Sequence, residues 1–189
     1  MKYTQVPQDT FKTLVLNAGI ICESFTPTSG EVTGIMGATT GGITFESNPE
    51  YEDYGDGMDN VPANTKELKR LVSCDPVLSG TFLTVTAANV AKLIGAADVS
   101  STKITPRMEL KDADFDDVWF VGDYSDKNTG DSAGFIAIHV KNALNTAGFS
   151  LKSTDKGKGE MAFELHGHYS ISNIDDVPFE VYVKSGSAA

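Results

Sequence analysis

Apolar and polar residues alternate with a period of two over most of the chain from residue 100 onward. Because successive side chains of a strand point to opposite faces, this alternation predicts half-buried strands. The clearest strand sets one apolar face against one polar face: Met161, Phe163, Leu165 and Tyr169 against Glu160, Glu164, His166 and His168. Further strands are predicted around residues 77–85, 104–110, 118–121, 136–140, 149–151 and 179–183. Of these, 118–121 (VWFV) is apolar throughout, which is typical of a central strand covered on both faces.

The first third of the chain shows the same strand character with more interruptions. Two apolar runs, 12–17 and 19–25, are split by Asn17-Ala18-Gly19, which predicts either a hairpin or one bent strand. A short strand is expected over about residues 42–47. Residues 64–72 fit either a helix or a strand, and we favour a strand because β-type residues follow.

One segment, about residues 87–97, has the period of an α-helix. Thr86 fits an N-cap, and the apolar positions fall at i, i+3, i+4 and i+7: Val90, Leu93, Ile94 and Ala97. Many short strands with one amphipathic helix predict a mainly β fold, a β-sandwich or partly closed barrel with one flanking helix. We expect a single domain over residues 1–189, with an N-terminal arm at 1–11 and a flexible C-terminal tail at 184–189.

Residues 48–62 are acidic and yet carry large apolar side chains, and no Lys or Arg occurs between Lys12 and Lys66. A structureless connection of this length is typically functional or disordered, and its tyrosines and methionine argue against disorder. We therefore predict a long acidic loop that docks onto a neighbouring subunit. Its contact residues are expected to be Glu50, Tyr51, Glu52, Asp53, Tyr54, Asp56, Met58, Asp59 and Val61.

The formal net charge is −11, and eight acidic residues fall in the stretch between Lys12 and Lys66. Affinity for nucleic acids comes largely from Lys and Arg side chains that displace counterions from phosphates. A surface of this charge repels phosphate, so sequence-specific binding of nucleic acid is not expected.

The first eight residues lack the apolar segment of a secretory signal, and we expect synthesis in a cytoplasm. No apolar run approaches the length of a membrane span. Cys22 and Cys74 are far apart, without a metal-like spacing, so we expect two reduced and part-buried thiols. The sequence implies no cofactor.

His166 and His168 share a strand face with Glu164, and zinc sites are built from such donors. No further ligand can be identified by spacing, however, and a solvated polar face of a sheet gives the same pattern. Nucleophilic catalysis has no candidate, because there is no Gly-x-Ser-x-Gly motif and neither cysteine is paired with a histidine by spacing. The glycines at 34–42 lack the lysine of a phosphate loop.

Residues 123–131 carry oxygen donors at alternate positions, as calcium loops do: Asp123, Asp126 and Asp131 among them. The glycine at position 130 falls fifth from Asp126 instead of sixth, and the expected glutamate is absent. A polar hairpin loop is the more typical interpretation. Residues 112–117 are likewise predicted to form a solvated acidic turn instead of a cation site.

Taken in order, several segments resemble the major tail tube proteins of long-tailed (siphovirus-type) bacteriophages and related prophages. They cover nearly the whole chain: 16–20 (LNAGI), 37–45 (GATTGGITF), 58–66 (MDNVPANTK), 93–97 (LIGAA), 118–125 (VWFVGDYS), 143–150 (ALNTAGFS) and 177–183 (VPFEVYV). No single segment is diagnostic, and the specificity lies in their order.

This resemblance implies a β-sandwich without catalytic activity that closes into hexameric rings, in which the inner strands of neighbouring subunits join into a barrel. The rings stack into a tube around a tape-measure protein, tail terminator and baseplate proteins close its ends, and genomic DNA later passes through the lumen. The expected location is the virion, after assembly in the bacterial cytoplasm. Residues 48–62 correspond to the arm that contacts adjacent subunits or the next ring. An acidic lumen would let phosphates pass without adhering.

The acidic face marked by Glu160 and Glu164 belongs to either the lumen or the outer wall of such a tube. Two other classes of function stay open at this point. One is a ligand-binding β-sandwich, such as a calcium-assisted carbohydrate module with Asp123, Asp126 and Asp131 at the cation, although Trp119 lies in a run that is expected to be buried. The other is a metallohydrolase that uses His166 and His168.

Overall fold

The structure, a computed structural model, describes residues 3, 6, 7, 10, 14–84, 86–124 and 134–185. It is 52% strand and 9% helix, which confirms the mainly β prediction with one flanking helix. The elements are β1 (Val15–Thr26), β2 (Glu31–Ile35), β3 (Thr39–Glu46), β4 (Pro49–Asp53), β5 (Lys69–Cys74), β6 (Val77–Phe82), α1 (Ala87–Ile94), β7 (Ala97–Ser100), β8 (Lys103–Pro106), β9 (Asp116–Tyr124), β10 (Phe135–Asn145), β11 (Met161–His166) and β12 (Phe179–Lys184). Short 3₁₀ turns lie at Lys66–Leu68 and Asp112–Asp114.

The long strand β10 belongs to both layers of the fold. Its first half pairs with β9 on one side and β12 on the other, which gives sheet A the order β2-β1-β9-β10-β12. Its last two residues pair with β11, which continues as sheet B in the order β11-β6-β3. All of these pairings are antiparallel. A strand that passes from one sheet to the other produces a partly closed sandwich.

The core lies between the two sheets and follows from the alternation in the sequence. Met161, Phe163 and Leu165 of β11 are buried, whereas Ala162 and Glu164 between them are exposed. They pack with apolar residues from both sheets, among them Ile21, Leu78, Phe82, Val118, Ile138 and Val140. A second cluster covers the opposite face of sheet A, formed by Cys22, Phe25, Trp119, Phe135 and Ala137. The run at 118–121 is thus covered on both faces, as predicted.

Strand β1 is one bent strand, not a hairpin. Asn17 and Gly19 have φ values of 66° and 68°, and the register against β9 shifts between Leu16 and Ile20. At Gly19 an added Cβ would lie 2.5 Å from a ring carbon of Phe120. The bend therefore needs a glycine both for its backbone angle and for the close approach of this ring.

Helix α1 begins where it was predicted but ends earlier. The Thr86 hydroxyl accepts a hydrogen bond from the Asn89 amide at 3.1 Å, which confirms the N-cap. Gly95, at φ 86°, ends the helix after Ile94, and Ala97 already belongs to β7. The predicted end at residue 97 is wrong because this left-handed glycine takes the chain out of the helical conformation.

Three other expectations need correction. Strand β8 stops at Pro106, which has no N–H to donate, and Met108 is 101% exposed instead of lying in a strand. Residues 149–151 form no strand, because only Lys152 pairs across the chain, with Glu160. The C-terminal tail was placed too early, since Lys184 ends β12 opposite Phe135. Most of the arm at 1–11 and residues 186–189 of the tail lie outside the described residues.

Candidate assembly surface

Strands β4 and β5 form a two-stranded ribbon, residues 49–74, which extends the β3–β6 pair beyond sheet B. Between the pair Glu46–Val77 of sheet B and the pair Pro49–Cys74 of the ribbon, the strands are interrupted, and the Asp75 amide donates a hydrogen bond to the Asn48 carbonyl there. The structureless loop predicted at 48–62 is therefore wrong in part, since Pro49–Asp53 is a strand. Its partner, Lys69–Cys74, lies about 20 residues later, so the strand favoured for 64–72 is confirmed from residue 69 onward, after a 3₁₀ turn at Lys66–Leu68.

The two faces of the ribbon carry different residues. On one face Tyr51 stands opposite Leu71, Asp53 stands opposite Lys69, and the Lys69 ammonium lies 5.8 Å from the centre of the Tyr51 ring. On the other face Glu52 stands opposite Arg70. Glu50 accepts a hydrogen bond from the Ser73 hydroxyl at 2.9 Å. The ribbon is thus acidic along β4 and basic along β5, with apolar side chains exposed on its surface.

The tip of the ribbon, residues 54–64, is folded. Asp53 accepts hydrogen bonds from the backbone N–H groups of Asn64 at 2.6 Å and Gly55 at 2.9 Å, and these donors lower the pKa of its carboxyl. Gly55 is buried beneath Leu68 and Val61, whose side-chain carbons lie 3.0 and 3.4 Å from the position of an added Cβ. Asp53 and Val61, predicted to contact a neighbouring subunit, therefore first of all fold the ribbon itself.

The other predicted contact residues of the tip face solvent. Tyr54 is 50% and Met58 is 51% exposed, and Asp56 and Asp59 are exposed as well. The ion pairs among the described residues involve neither Asp56 nor Asp59. The ordered tip presents an aromatic ring and a methionine, two side-chain types that are enriched at contact surfaces, beside carboxylates, which are depleted there.

At its base the ribbon is fixed to the sandwich by polar contacts. The Cys74 thiol donates to the Ser47 carbonyl at 2.6 Å, and the Cys74 amide donates to the Tyr169 hydroxyl at 2.9 Å. The imidazole of His166 lies between Asp75 and Glu164, with nitrogen–oxygen distances of 2.9 and 3.0 Å. The sequence placed Glu164 beside His166 but did not indicate the contact with Asp75, because Asp75 and His166 are 91 residues apart.

His166 and His168 do not converge on one point. The Nδ1 atom of His168 lies 3.1 Å from the Asn142 carbonyl, and its ring meets Phe115 edge-on at 5.2 Å. Within the described part of the chain, no three His, Cys, Asp or Glu side chains are grouped so that they could hold a metal ion.

Of the three aspartates considered for a calcium site, the structure describes one. Asp123 is exposed on β9, whereas Asp126 and Asp131 lie outside the described residues.

The turn at 112–117 is not simply solvated, because its carboxylates lie close to Arg, Lys and His side chains of other elements. These pairs are Asp114–Arg107 at 2.5 Å, Asp116–Lys92 at 3.1 Å and Asp117–His139 at 3.1 Å. They attach the turn to β10, to the helix and to the chain after β8.

The face of sheet B that points away from the core is mostly polar, and its strands carry one basic side chain, the His166 imidazole. Across it, Thr44, Ser79 and Glu164 form one row of paired residues, and Glu46, Val77 and His166 form the next. Strands β3, β6 and β11 contain no Lys or Arg. Glu160, predicted on the same face as Glu164, is half-buried just before β11 and pairs through its backbone with Lys152.

Strand β12 forms the far edge of sheet A. It pairs with β10 along one side, and no other strand of the described residues pairs with it. Val181 and Val183 are exposed there. Trp119, by contrast, is buried in a parallel stack with His139, at 4.1 Å between ring centres, so it is not an exposed aromatic platform.

No protein-family model and no curated protein matches the sequence. Among the described residues, no helix has the length and hydropathy that a membrane crossing requires.

Proposed function

We propose that the chain is a structural subunit that assembles with copies of itself into a tube of stacked hexameric rings, as its resemblance to tail tube proteins implies. The observation that carries the proposal is the ribbon 49–74, an ordered element that leaves the sandwich and exposes apolar side chains at its tip. The proposed location is the virion, after assembly in a bacterial cytoplasm. The proposed partners are further copies of the chain, a tape-measure protein, and terminator and baseplate proteins.

The ribbon is well suited to contact another molecule because its shape exists before contact. Asp53, Val61 and Leu68 fix the tip, and the Cys74 bonds fix the base. A surface that is already ordered loses less conformational entropy on binding than a flexible loop does. Tyr and Met side chains are enriched at such contacts, and a few of them typically supply most of the affinity.

The open edge of β12 supplies a second means of association. An unpaired strand edge presents backbone donors and acceptors that another chain can pair with, and natural proteins usually protect such edges. Here Val181 and Val183 leave the edge apolar and exposed. In the proposed ring, a strand of the next subunit covers this edge, and the pairing repeats around the ring until it closes.

The outer face of sheet B is the proposed wall of the lumen. A polyanion passes a channel without adhering when the wall offers no Lys or Arg for its phosphates. The strands of this face carry Glu46 and Glu164 among threonines and serines. DNA would therefore move along a surface that repels its backbone.

The proposal is tested by imaging the purified protein in negative stain and measuring its mass by light scattering. The expected result is ring stacks or tubes at high protein concentration. In a first variant, Asn-Gly replaces residues 50–73 and joins the paired residues Pro49 and Cys74 by a two-residue turn. We expect this variant to keep the melting transition of the sandwich and to lose the tubes.

A pair of substitution variants separates the ribbon tip from exposed apolar residues in general. Tyr54→Ser/Met58→Ser changes the tip, and Val99→Ser/Met108→Ser makes a similar change at exposed positions in β7 and just after β8. Tubes should disappear in the first variant and persist in the second. A wild-type protein that stays monomeric at every concentration, and inside assembled particles, would contradict the proposal.

A further inference from the structure

Sheet B carries a projection at each of its two ends. The ribbon leaves the sheet at the row that holds Glu46, Val77 and His166. The opposite end is the row of Thr39, Phe82 and Met161, and the turn that precedes β11 lies there. With six residues in β11, the two ends are separated by roughly 17 Å along the strand, at about 3.3 Å per residue.

The projection at the Met161 end, residues 152–160, is the lysine turn. Two backbone bonds of 2.9 Å between Lys152 and Glu160 close it, and the Gly157 amide bonds to the Thr154 carbonyl at 3.0 Å. Its exposed cations are Lys152, Lys156 and Lys158, against two acids, Asp155 and the half-buried Glu160. None of the ion pairs among the described residues involves these lysines.

Two exposed apolar side chains adjoin the lysine turn. Phe149 and Leu151 precede it, and both face solvent because the strand expected there does not form. The surface thus combines an apolar patch with unpaired cations. The ribbon tip combines Tyr54 and Met58 with the unpaired carboxylates of Asp56 and Asp59. Each surface therefore offers two apolar side chains, and the charges of one are opposite to those of the other.

We propose that the ribbon tip of one copy docks onto the lysine turn of the next copy along the tube. This inference rests on the proposed function and names the surface that receives the ribbon. The ribbon leaves sheet B at one end and the lysine turn lies at the other, so the proposed contact joins the ribbon of one copy to the turn of another. A contact between two different patches at opposite ends is head-to-tail, and such a contact repeats without limit.

The charges and the apolar residues have different roles in this contact. Exposed ion pairs contribute little affinity, but complementary charges speed up encounter and suppress wrong alignments. Tyr54 and Met58 against Phe149 and Leu151 supply the burial of apolar area. The contact should therefore form more slowly as salt is added, because the Debye length shrinks from about 10 Å at 0.1 M to about 3 Å at 1 M.

Charge reversal tests the docking directly. One variant carries Asp56→Lys/Asp59→Lys, a second carries Lys156→Glu/Lys158→Glu, and a third carries all four changes. A control, Asp112→Lys/Asp175→Lys, makes the same change in net charge as the first variant, at exposed sites outside both surfaces. Tube growth is followed by light scattering and imaging, and the melting transition shows that each variant is folded.

We expect the first and the second variant, each with one surface reversed, to slow tube growth about tenfold or more, since like charges then face each other. The four-fold variant should return to near the wild-type rate, because the charges are again complementary, and the control should grow like the wild type. If the first and the second variant both form tubes at the wild-type rate, the proposed contact between ribbon tip and lysine turn is wrong, and the proposed function still stands. Failure of the four-fold variant to recover would overturn this contact too. A wild-type protein that forms no tubes would overturn both.

A second measurement does not need complete tubes. Protein with Asp59→Cys is mixed with protein with Lys156→Cys under mild oxidation, and the disulfide-linked heterodimer is quantified on a gel. Asp59→Cys mixed with Asp112→Cys is the control. The docking predicts heterodimer well above the control, and equal yields in the two mixtures would contradict it.

Discussion

The Asp75 amide donates a hydrogen bond to the Asn48 carbonyl at 3.2 Å, and this bond joins the ribbon to sheet B. Asn48 has a φ of 40°, a conformation that asparagine tolerates better than most residues. The ribbon and sheet B are therefore linked across a short interruption, residues 47–48 and 75–76, that belongs to no strand. Elements joined by so few bonds can open locally without unfolding the core.

The two cysteines should report this difference in local stability. Cys22 is fully buried between strands of sheet A, and burial raises the pKa of its thiol to about 11. Cys74 is buried at the base of the ribbon, where burial and the charge of Asp75 raise its pKa. Because the thiolate is the reactive form, both should resist alkylation in the native protein.

We expect iodoacetamide to modify Cys74 at least about tenfold faster than Cys22, since opening of the ribbon base requires far less free energy than opening of the core. Mass spectrometry of the two cysteine peptides over time gives the rates. In the variant that lacks residues 50–73, the alkylation rate of Cys74 should change and that of Cys22 should not. Equal rates for both thiols would mean that the ribbon base opens only with the whole fold.

The strands of the sandwich were predictable because one face of each is buried, and burial leaves a period of two in the sequence. Met161, Phe163 and Leu165 show this, as does the N-cap at Thr86, whose hydrogen bond is local. The ribbon was not predictable in the same way. Its strands have no buried face, so β4 shows no alternation, and only its pairing with the distant β5 makes it a strand.

The contacts at the ribbon base show the same limit. His166, Asp75 and Tyr169 lie close together because β11 pairs with β6. The sequence around each of these residues contains no pattern that predicts this. The sequence placed His166 with His168 on a common face, but β11 ends at His166, and the chain then turns to bond with β10 through the His168 amide. A pattern along the chain therefore identified candidate residues but not their partners.

Gly80 is predicted to be required by the core. An added Cβ would lie 2.7 Å from a ring carbon of Phe163, which stands opposite Gly80 on β11. Overpacking a filled core costs about 1–3 kcal/mol, and Gly80→Ala should lower the free energy of unfolding by that amount in urea titrations. Gly159→Ala, which meets only Leu151 at 3.7 Å, is the matched control and should be nearly neutral.

A smaller partner should relieve this clash. Phe163→Leu leaves room for the alanine, so the double variant should be less destabilised than the sum of the two single variants. If the losses in free energy of unfolding of the two single variants add up exactly in the double variant, the clash with Phe163 is not the reason why Gly80→Ala is destabilising.

The bend of β1 is predicted to depend on Gly19 through contact as well as backbone angle. Gly30 has a similar φ of 74°, but an added Cβ there meets nothing within 4 Å. Gly30→Ala should therefore cost only the left-handed conformation, about 1–2 kcal/mol. Gly19→Ala adds close approaches to Phe120 at 2.5 Å and to the Val121 carbonyl at 2.6 Å, and should cost clearly more in the same urea titration. Equal costs would show that the Phe120 ring moves away freely.

The last prediction concerns the pH dependence that His166 gives to the fold. Burial lowers the pKa of His166, but hydrogen bonds and charges from Asp75 and Glu164 outweigh it, so that the pKa is raised. Other polar or titratable groups near this imidazole are Cys74, His168 and Tyr169 around the same cavity, and Glu46 across Val77. A raised pKa means that the folded protein binds the proton more tightly than the unfolded chain.

The resulting stabilisation is complete below the unfolded pKa of about 6.5 and is lost as the pH rises through the higher folded value. His166→Gln should therefore lower the free energy of unfolding more at about pH 5.5 than at about pH 9. Urea titrations of both proteins at the two pH values provide the comparison. In a background of Asp75→Asn/Glu164→Gln, the same substitution should lose this pH dependence, because the carboxylates that raise the pKa are gone. A pH dependence that persists in that background would assign it to other groups around the imidazole.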